Sequence, residues 1–314
     1  MSESSTPRRR RSRLVRILAG CAVLCALAGY LTAQYVTGGA GPARCTVRAG
    51  GAGPDAVTYQ VQPEQAANAA TIEAVASSRG LPDRAVTIAL ATAMQESALH
   101  NIRHGDRDSL GLFQQRPSQG WGTAEQILDP VYAAGKFYDH LVKVPGYSRL
   151  PLTVAAQKVQ HSGFPQAYAK HEADASLLTA ALTGRRAAAL SCTAGPEAGS
   201  GQPGDPEQLR RTLVREFGED VLPHSDVQSV SLDSVTADGG RSADNEVTVP
   251  APTKQRGWEL AHWAMAQAAQ LHIAHISYGH YVWDVDRSEE GWRTVEDAAP
   301  AGSVVLRAAD GTAG

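Results

Sequence analysis

The chain has 314 residues, with 29 Lys or Arg against 32 Asp or Glu and a formal net charge of −3. That length allows two domains, and neither the charged fraction of 19% nor the slightly acidic balance points to a nucleic-acid partner. Alanine and glycine are abundant and aromatics make up only 6%, so a core must be assembled from small aliphatics around tryptophans such as Trp121.

At the N-terminus Arg8, Arg9, Arg10, Arg11, Arg13 and Arg16 precede an uncharged run of 20 residues from Ile17 to Val36. At about 1.5 Å per residue such a run spans roughly the 30 Å hydrocarbon core of a bilayer. The expectation is a cytoplasmic basic tail over 1–16 and a single-pass transmembrane helix over 17–36, with all later residues extracytoplasmic. A cleavable signal peptide is the rival, since Ala26-Leu27-Ala28 offers a small-residue cleavage site. Leu18-Ala19-Gly20-Cys21 imitates a lipobox, but Arg16 stands too close upstream for it. Cys21 and Cys25 lie within the run and read as small apolar residues. Cys45 and Cys192 lie beyond it and are expected to pair in an oxidising compartment.

Residues 37–61, Gly-rich at first and without periodicity, read as a tether. Glu64 to Ser78 predicts a helix with Ala67, Ala70, Ile72 and Val75 inward, and Pro82 suits the first position of the next helix. That second helix carries no charge from Thr87 to Gln95 and then delivers Glu96. An apolar run of helical length is buried on most sides. A carboxylate closing it sits where core gives way to cleft, and burial beside the negative end of a helix disfavours a charged carboxylate. A general acid working near neutral pH needs that tuning.

Behind Gln95-Glu96-Ser97 come Gly105-Asp106-Arg107 and then Gly111-Leu112-Phe113-Gln114. This order resembles the lysozyme-like superfamily, specifically the lytic transglycosylases and goose-type lysozymes. Their signature is a Glu-Ser pair ending a buried helix, then a Gly-Leu-(Met or Phe)-Gln turn lining the cleft. The resemblance covers Gln62 to Gly184 and implies an all-α domain over 62–193. It also implies cleavage of the MurNAc–GlcNAc glycan of peptidoglycan, with Glu96 as general acid/base and no cofactor. Asp106 matches an aspartate of the goose-type enzymes. A further aspartate usually follows the turn in that family, and here Arg116 occupies the region; Asp108 is the alternative, equally readable as a solvated loop residue. Without that partner, hydrolysis loses its water-holding base. The transglycosylase route stays open, because there the sugar supplies its own nucleophile. Ser97, Gln114, Gln115, Trp121 and Tyr168 are the candidate substrate contacts, offering amides, hydroxyls and flat rings to a sugar; Phe164 is another, and Phe164 and Tyr168 read equally as residues that pack the last helix.

Later helices are expected from Asp129-Pro130 to Val142, over Thr153–Gln160 and over Pro165–Thr183. Residues 194–206 form a Gly- and Pro-rich linker, and 207–314 a small α+β domain. In that domain Pro206–Phe217 and Gly257–Leu271 read as helices. Val227–Val235, Glu246–Val249, Ile276–Asp284 and Ser303–Leu306 read as strands. Trp258, Trp283 and Gly291-Trp292 resemble a pattern in small domains appended to secreted actinobacterial cell-wall hydrolases, where such tryptophans are more often core than sugar platform. His100 and His104, and the group His272, His275 and His280, lack an H-E-x-x-H partner, so no metal site is expected. Two functions remain: a membrane-anchored muramidase or lytic transglycosylase, or a catalytically silent peptidoglycan-binding scaffold that keeps the fold.

Overall fold

The computed structural model describes residues 18–30, 41–49, 57–164, 166–195, 202–222, 245–296 and 299–311, in two compact units, Met1–Pro42 and Ala43–Gly314. The first unit contains one described helix, α1 (residues 18–30). Among the described residues no helix is long and apolar enough to cross a membrane. The expected transmembrane helix over 17–36 is therefore corrected. The described part of that run, residues 18–30, is helical.

The second unit corrects the all-α expectation as well. Part of the expected tether forms strands β1 (Arg44–Ala49) and β2 (Val57–Val61), and the end of the expected helical domain forms β3 (Leu190–Thr193). They make an antiparallel sheet in the order β2-β1-β3. In β1 the alternation is plain, with Cys45 and Val47 buried while Arg44, Thr46 and Arg48 face outward. Cys45 and Cys192 are cross-strand partners and are joined by a disulfide, as expected.

Against this sheet packs a helical body: α2 (Pro63–Ser78), α3 (Asp83–Ser97), α4 (Ala124–Ile127), α5 (Pro130–Leu141), α6 (Leu152–Gln160) and α7 (Glu172–Leu182). Gln62 and Gln65 form a capping box with Pro63 in the first turn of α2. Asp129 caps α5 through the Val131 amide at 3.0 Å. Ala66 to Ala76 are buried without a break because α2 is covered on both sides, by α3 and α5 and by two later helices. The helix expected over Pro165–Thr183 starts later. Residues Ala167–His171 form a 3₁₀ turn before α7.

The C-terminal part is α+β. Helix α8 (Pro206–Phe217) is followed by β4 (Glu246–Pro250), α9 (Lys254–Gln267), β5 (Ile273–Tyr278), β6 (Tyr281–Asp284), β7 (Arg293–Thr294) and β8 (Ser303–Ala308). The strands form one antiparallel sheet, β4-β8-β5-β6-β7. The predicted strand Val227–Val235 lies outside the described residues. Helix α9 lies against that sheet, α2 and α7 at once, and every residue from Gly257 to Gln267 is buried.

Candidate active site

Two residues in left-handed conformation end α3 abruptly, Ala98 (φ 52°) and Leu99 (φ 63°). Their amides close on Met94 (3.1 Å) and Ala93 (3.2 Å), satisfying carbonyls of the last turn. The buried Asn68 amide holds the Leu99 carbonyl at 2.8 Å. Such strain persists only where surrounding contacts over-determine it. Ser97 supplies one of those contacts, since its hydroxyl donates to the Leu112 carbonyl at 2.8 Å. Ser97 thereby ties the helix end to the following turn.

That turn is the Gly-Leu-Phe-Gln segment, closed by Leu110 and Gln115, which exchange backbone hydrogen bonds of 2.9 and 3.0 Å. Gly111 (φ 73°) is required there, because a Cβ would sit 2.6 Å from the Ile127 carbonyl oxygen. Leu112 and Phe113 are fully buried, and Phe113 stacks on Phe137 at 4.7 Å. The Gln114 side chain folds back to donate to the Gly111 carbonyl at 3.2 Å. It crosses Gly105 so closely that a Cβ there would lie 1.9 Å from its Oε1.

Glu96, half-buried, projects from the last turn of α3. Its Oε1 accepts a 2.6 Å hydrogen bond from the hydroxyl of Tyr168, a fully buried residue of the 3₁₀ turn. Burial first, and then the Glu96 bond and charge, push the Tyr168 phenol well above its usual range. The hydroxyl therefore remains a donor at any working pH. Next to this pair, His171 Nε2 lies 3.3 Å from Gln95 Oε1.

The structure does not gather the other expected residues as closely. Asp106 has a side chain 93% exposed, with Arg107 beside it at 4.0 Å. Asp108 is occupied: its Oδ1 accepts from Arg116 Nε at 2.7 Å and its Oδ2 from the Ser118 amide at 2.8 Å. Those bonds, the Arg116 one foremost, hold its carboxyl well below the usual range. Arg116 thus serves to lock the loop. Gln115 is turned inward, 1% exposed, donating to the Ala133 carbonyl at 3.0 Å, so it offers nothing to a ligand. Trp121 is half-buried and stacks on His140 at 4.3 Å. Phe164, by contrast, is 79% exposed. His100 pairs with Glu64 at 3.1 Å and His275 with Asp284 at 2.6 Å. Glu96 lines neither of two cavities, near 530 and 750 Å³, that border β3.

Over residues 206–303 the chain matches the family described as VldE, C-terminal domain. A search of curated proteins finds no match. The VldE-like segment does not include Glu96; it acts on the sheet and on α2.

Strand β3 is an edge strand, and its outward backbone groups are met by side chains of the VldE-like segment. Trp292 Nε1 donates to the Leu190 carbonyl at 2.8 Å, and Trp283 Nε1 to the Cys192 carbonyl at 3.1 Å. The Cys192 amide reaches Met265 Sδ at 3.4 Å, and the Ala194 amide reaches Ser288 Oγ at 2.9 Å. His262 Nε2 accepts from the Ala189 amide at 3.1 Å while Nδ1 faces the Ala181 carbonyl at 2.7 Å. Only a neutral ring with its proton on Nδ1 fits both partners. Burial accordingly pushes His262 down to about 4.

Two buried carboxylates complete the junction with α2. Glu216 accepts from Trp263 Nε1 at 2.6 Å and from the Thr71 hydroxyl at 2.9 Å. Burial pushes it up to about 7, and these bonds only partly offset that. Glu73 is held well above the carboxylate range by burial first and then by Glu259 beside it. No local pattern in the sequence announces these groups, although an acid in the apolar face of α2 is a signal of a sort.

Proposed function

We propose that the chain is a peptidoglycan glycosidase, a lytic transglycosylase or lysozyme-type enzyme, working outside the cytoplasm with Glu96 as general acid/base. The observation that carries this is the 2.6 Å hydrogen bond from buried Tyr168 to Glu96 Oε1, at a helix end that Ser97 locks to the Gly-Leu-Phe-Gln turn. With Oε1 taken, Oε2 is left to carry the transferable proton. In its protonated form Glu96 gives that proton to the glycosidic oxygen as the bond to C1 breaks. The resulting carboxylate, supported by Tyr168, then removes a proton from a hydroxyl of the same sugar, whose oxygen closes onto C1 as an anhydro ring. No water enters. The exposure of Asp106 and the engagement of Asp108 favour this route over hydrolysis, because neither is held as a partner base. The Cys45–Cys192 disulfide supports an oxidising compartment.

A silent peptidoglycan-binding scaffold is the second possibility, favoured by the position of the two cavities near β3, away from Glu96. Incubating the full chain with purified peptidoglycan and mass-analysing the products separates the two. Anhydro-muramic ends are expected from wild type and from Asp106→Asn. Glu96→Gln should lose about 10²–10⁴ in rate, the usual contribution of general acid–base catalysis. Undiminished cleavage by Glu96→Gln would sink the enzymatic assignment, and wild-type binding without cleavage would transfer it to the scaffold.

A further inference from the structure

A groove of about 750 Å³ runs between the outer face of β1 and β3 and the Ser288–Trp292 turn of the VldE-like segment. Because β1 alternates, its inward Cys45 and Val47 leave Arg44 and Arg48 on the groove side, and Arg186 joins them. Two acids stand on the rim, and both are already matched. Glu289 pairs with Arg44 at 3.7 Å; Glu290 pairs with Arg287 at 2.8 Å and Arg293 at 3.7 Å. Arg48 and Arg186, both exposed, have no ion pair or side-chain hydrogen bond among the described residues. Two uncompensated guanidinium groups therefore face one groove of a chain whose net charge is −3. The hydroxyl of Ser191 and the rings of Tyr281 and Trp292 line it as well. Guanidinium matches carboxylate geometry in a two-pronged way that a simple cation does not. The volume suits a short chain better than a single small anion.

We propose that this groove binds the carboxylates of the short peptides that branch from the glycan strand, pairing them with Arg48 and Arg186. The choice of polymer rests on the function proposed above; the preference for carboxylates does not. The groove is formed by both segments of the unit, which gives the VldE-like segment a role in holding the polymer while Glu96 acts elsewhere on it.

Calorimetric titration of the full chain with muramoyl dipeptide, a sugar-linked peptide with free carboxylate, tests the proposal, with chitotriose as the neutral sugar control. Saturable binding of the dipeptide is expected, weakening with added salt. Arg48→Ala/Arg186→Ala should weaken it about tenfold. Both side chains are exposed, so this variant should fold normally, and Arg48→Lys/Arg186→Lys should retain most of the binding. Equal affinity in the double alanine variant, or chitotriose bound as tightly as the dipeptide, would overturn the proposal. The titration contains no bond cleavage, so it stands or falls separately from the glycosidase assignment.

Discussion

Replacing Glu216 with glutamine removes a proton-binding site from the junction between α2, α8 and α9, and the effect on stability has a definite sign. The folded-state value of about 7 lies above the ordinary 4.5. The native state therefore holds a proton that the unfolded chain releases, and stability from this group is full below pH 4.5 and lost as pH rises through 7. At 1.36 kcal/mol per pH unit the loss between pH 5 and pH 8 is about 2–3 kcal/mol. His262 works in the opposite direction. Its folded value of about 4 lies below 6.5, so its contribution is present above 6.5 and lost as pH falls toward 4. Between pH 5 and 8 it adds back about 2 kcal/mol against the Glu216 slope. Glu216→Gln keeps shape and can still accept from Trp263, so it should uncover the histidine. Urea unfolding of both proteins at the two pH values measures this. The variant should gain about 2–3 kcal/mol on wild type between pH 5 and pH 8, some 5–10 °C in Tm. A stability difference that stays constant across that range would refute the reasoning, since other titrating groups cancel in the comparison.

Tyr168→Phe should keep the fold but lower peptidoglycan cleavage about tenfold or more, because a hydrogen bond to a charged group is worth roughly 1.5–3 kcal/mol; initial rates of product release measure it. Cys45→Ser/Cys192→Ser opens a loop closed across 147 residues and should cost about 5 kcal/mol on the chain-entropy account, read by urea unfolding against the oxidised protein. Trp292→Phe leaves the Leu190 carbonyl without its partner and should cost about 1–3 kcal/mol, with faster hydrogen exchange confined to residues around β3.

The central helix and the turn after it could be read from the sequence because their signals are local. The charge-free run before Glu96 demands burial, and Gly111 is the one residue its turn admits. The disulfide followed from compartment and placement. The sheet was harder. Alternation in Arg44–Ala49 is genuine but short, and Gly-rich neighbours made it look like tether. The apolar run at 17–36 has the composition of a membrane span, yet among the described residues no helix is long and apolar enough to cross a membrane. Asp108 read as an alternative acid or a solvated loop residue and Arg116 as the occupant of a missing aspartate's place, and only their 2.7 Å contact makes them a clamp. Gln115 beside Gln114 looked like a second sugar contact, but the turn sends neighbouring side chains to opposite sides. Trp283 was legible as an interior residue, while Trp292 is half-buried at the groove. Their partners were not legible, being main-chain carbonyls about a hundred residues earlier in the chain.

That separation bears on how the protein is made. A ribosome finishes Thr193 roughly a hundred residues before Trp292, an interval of about 5–20 s at ordinary elongation rates. Throughout that interval the nascent chain can already pair β3 with β1, but the outer rim of β3 stays bare. A bare rim invites any other extended chain to add to it. Early termination before residue 206 would make the vulnerability permanent, since the cover for the strand is encoded wholly downstream. Trp283, Trp292 and His262 therefore guard the nascent strand as well as holding the finished fold together.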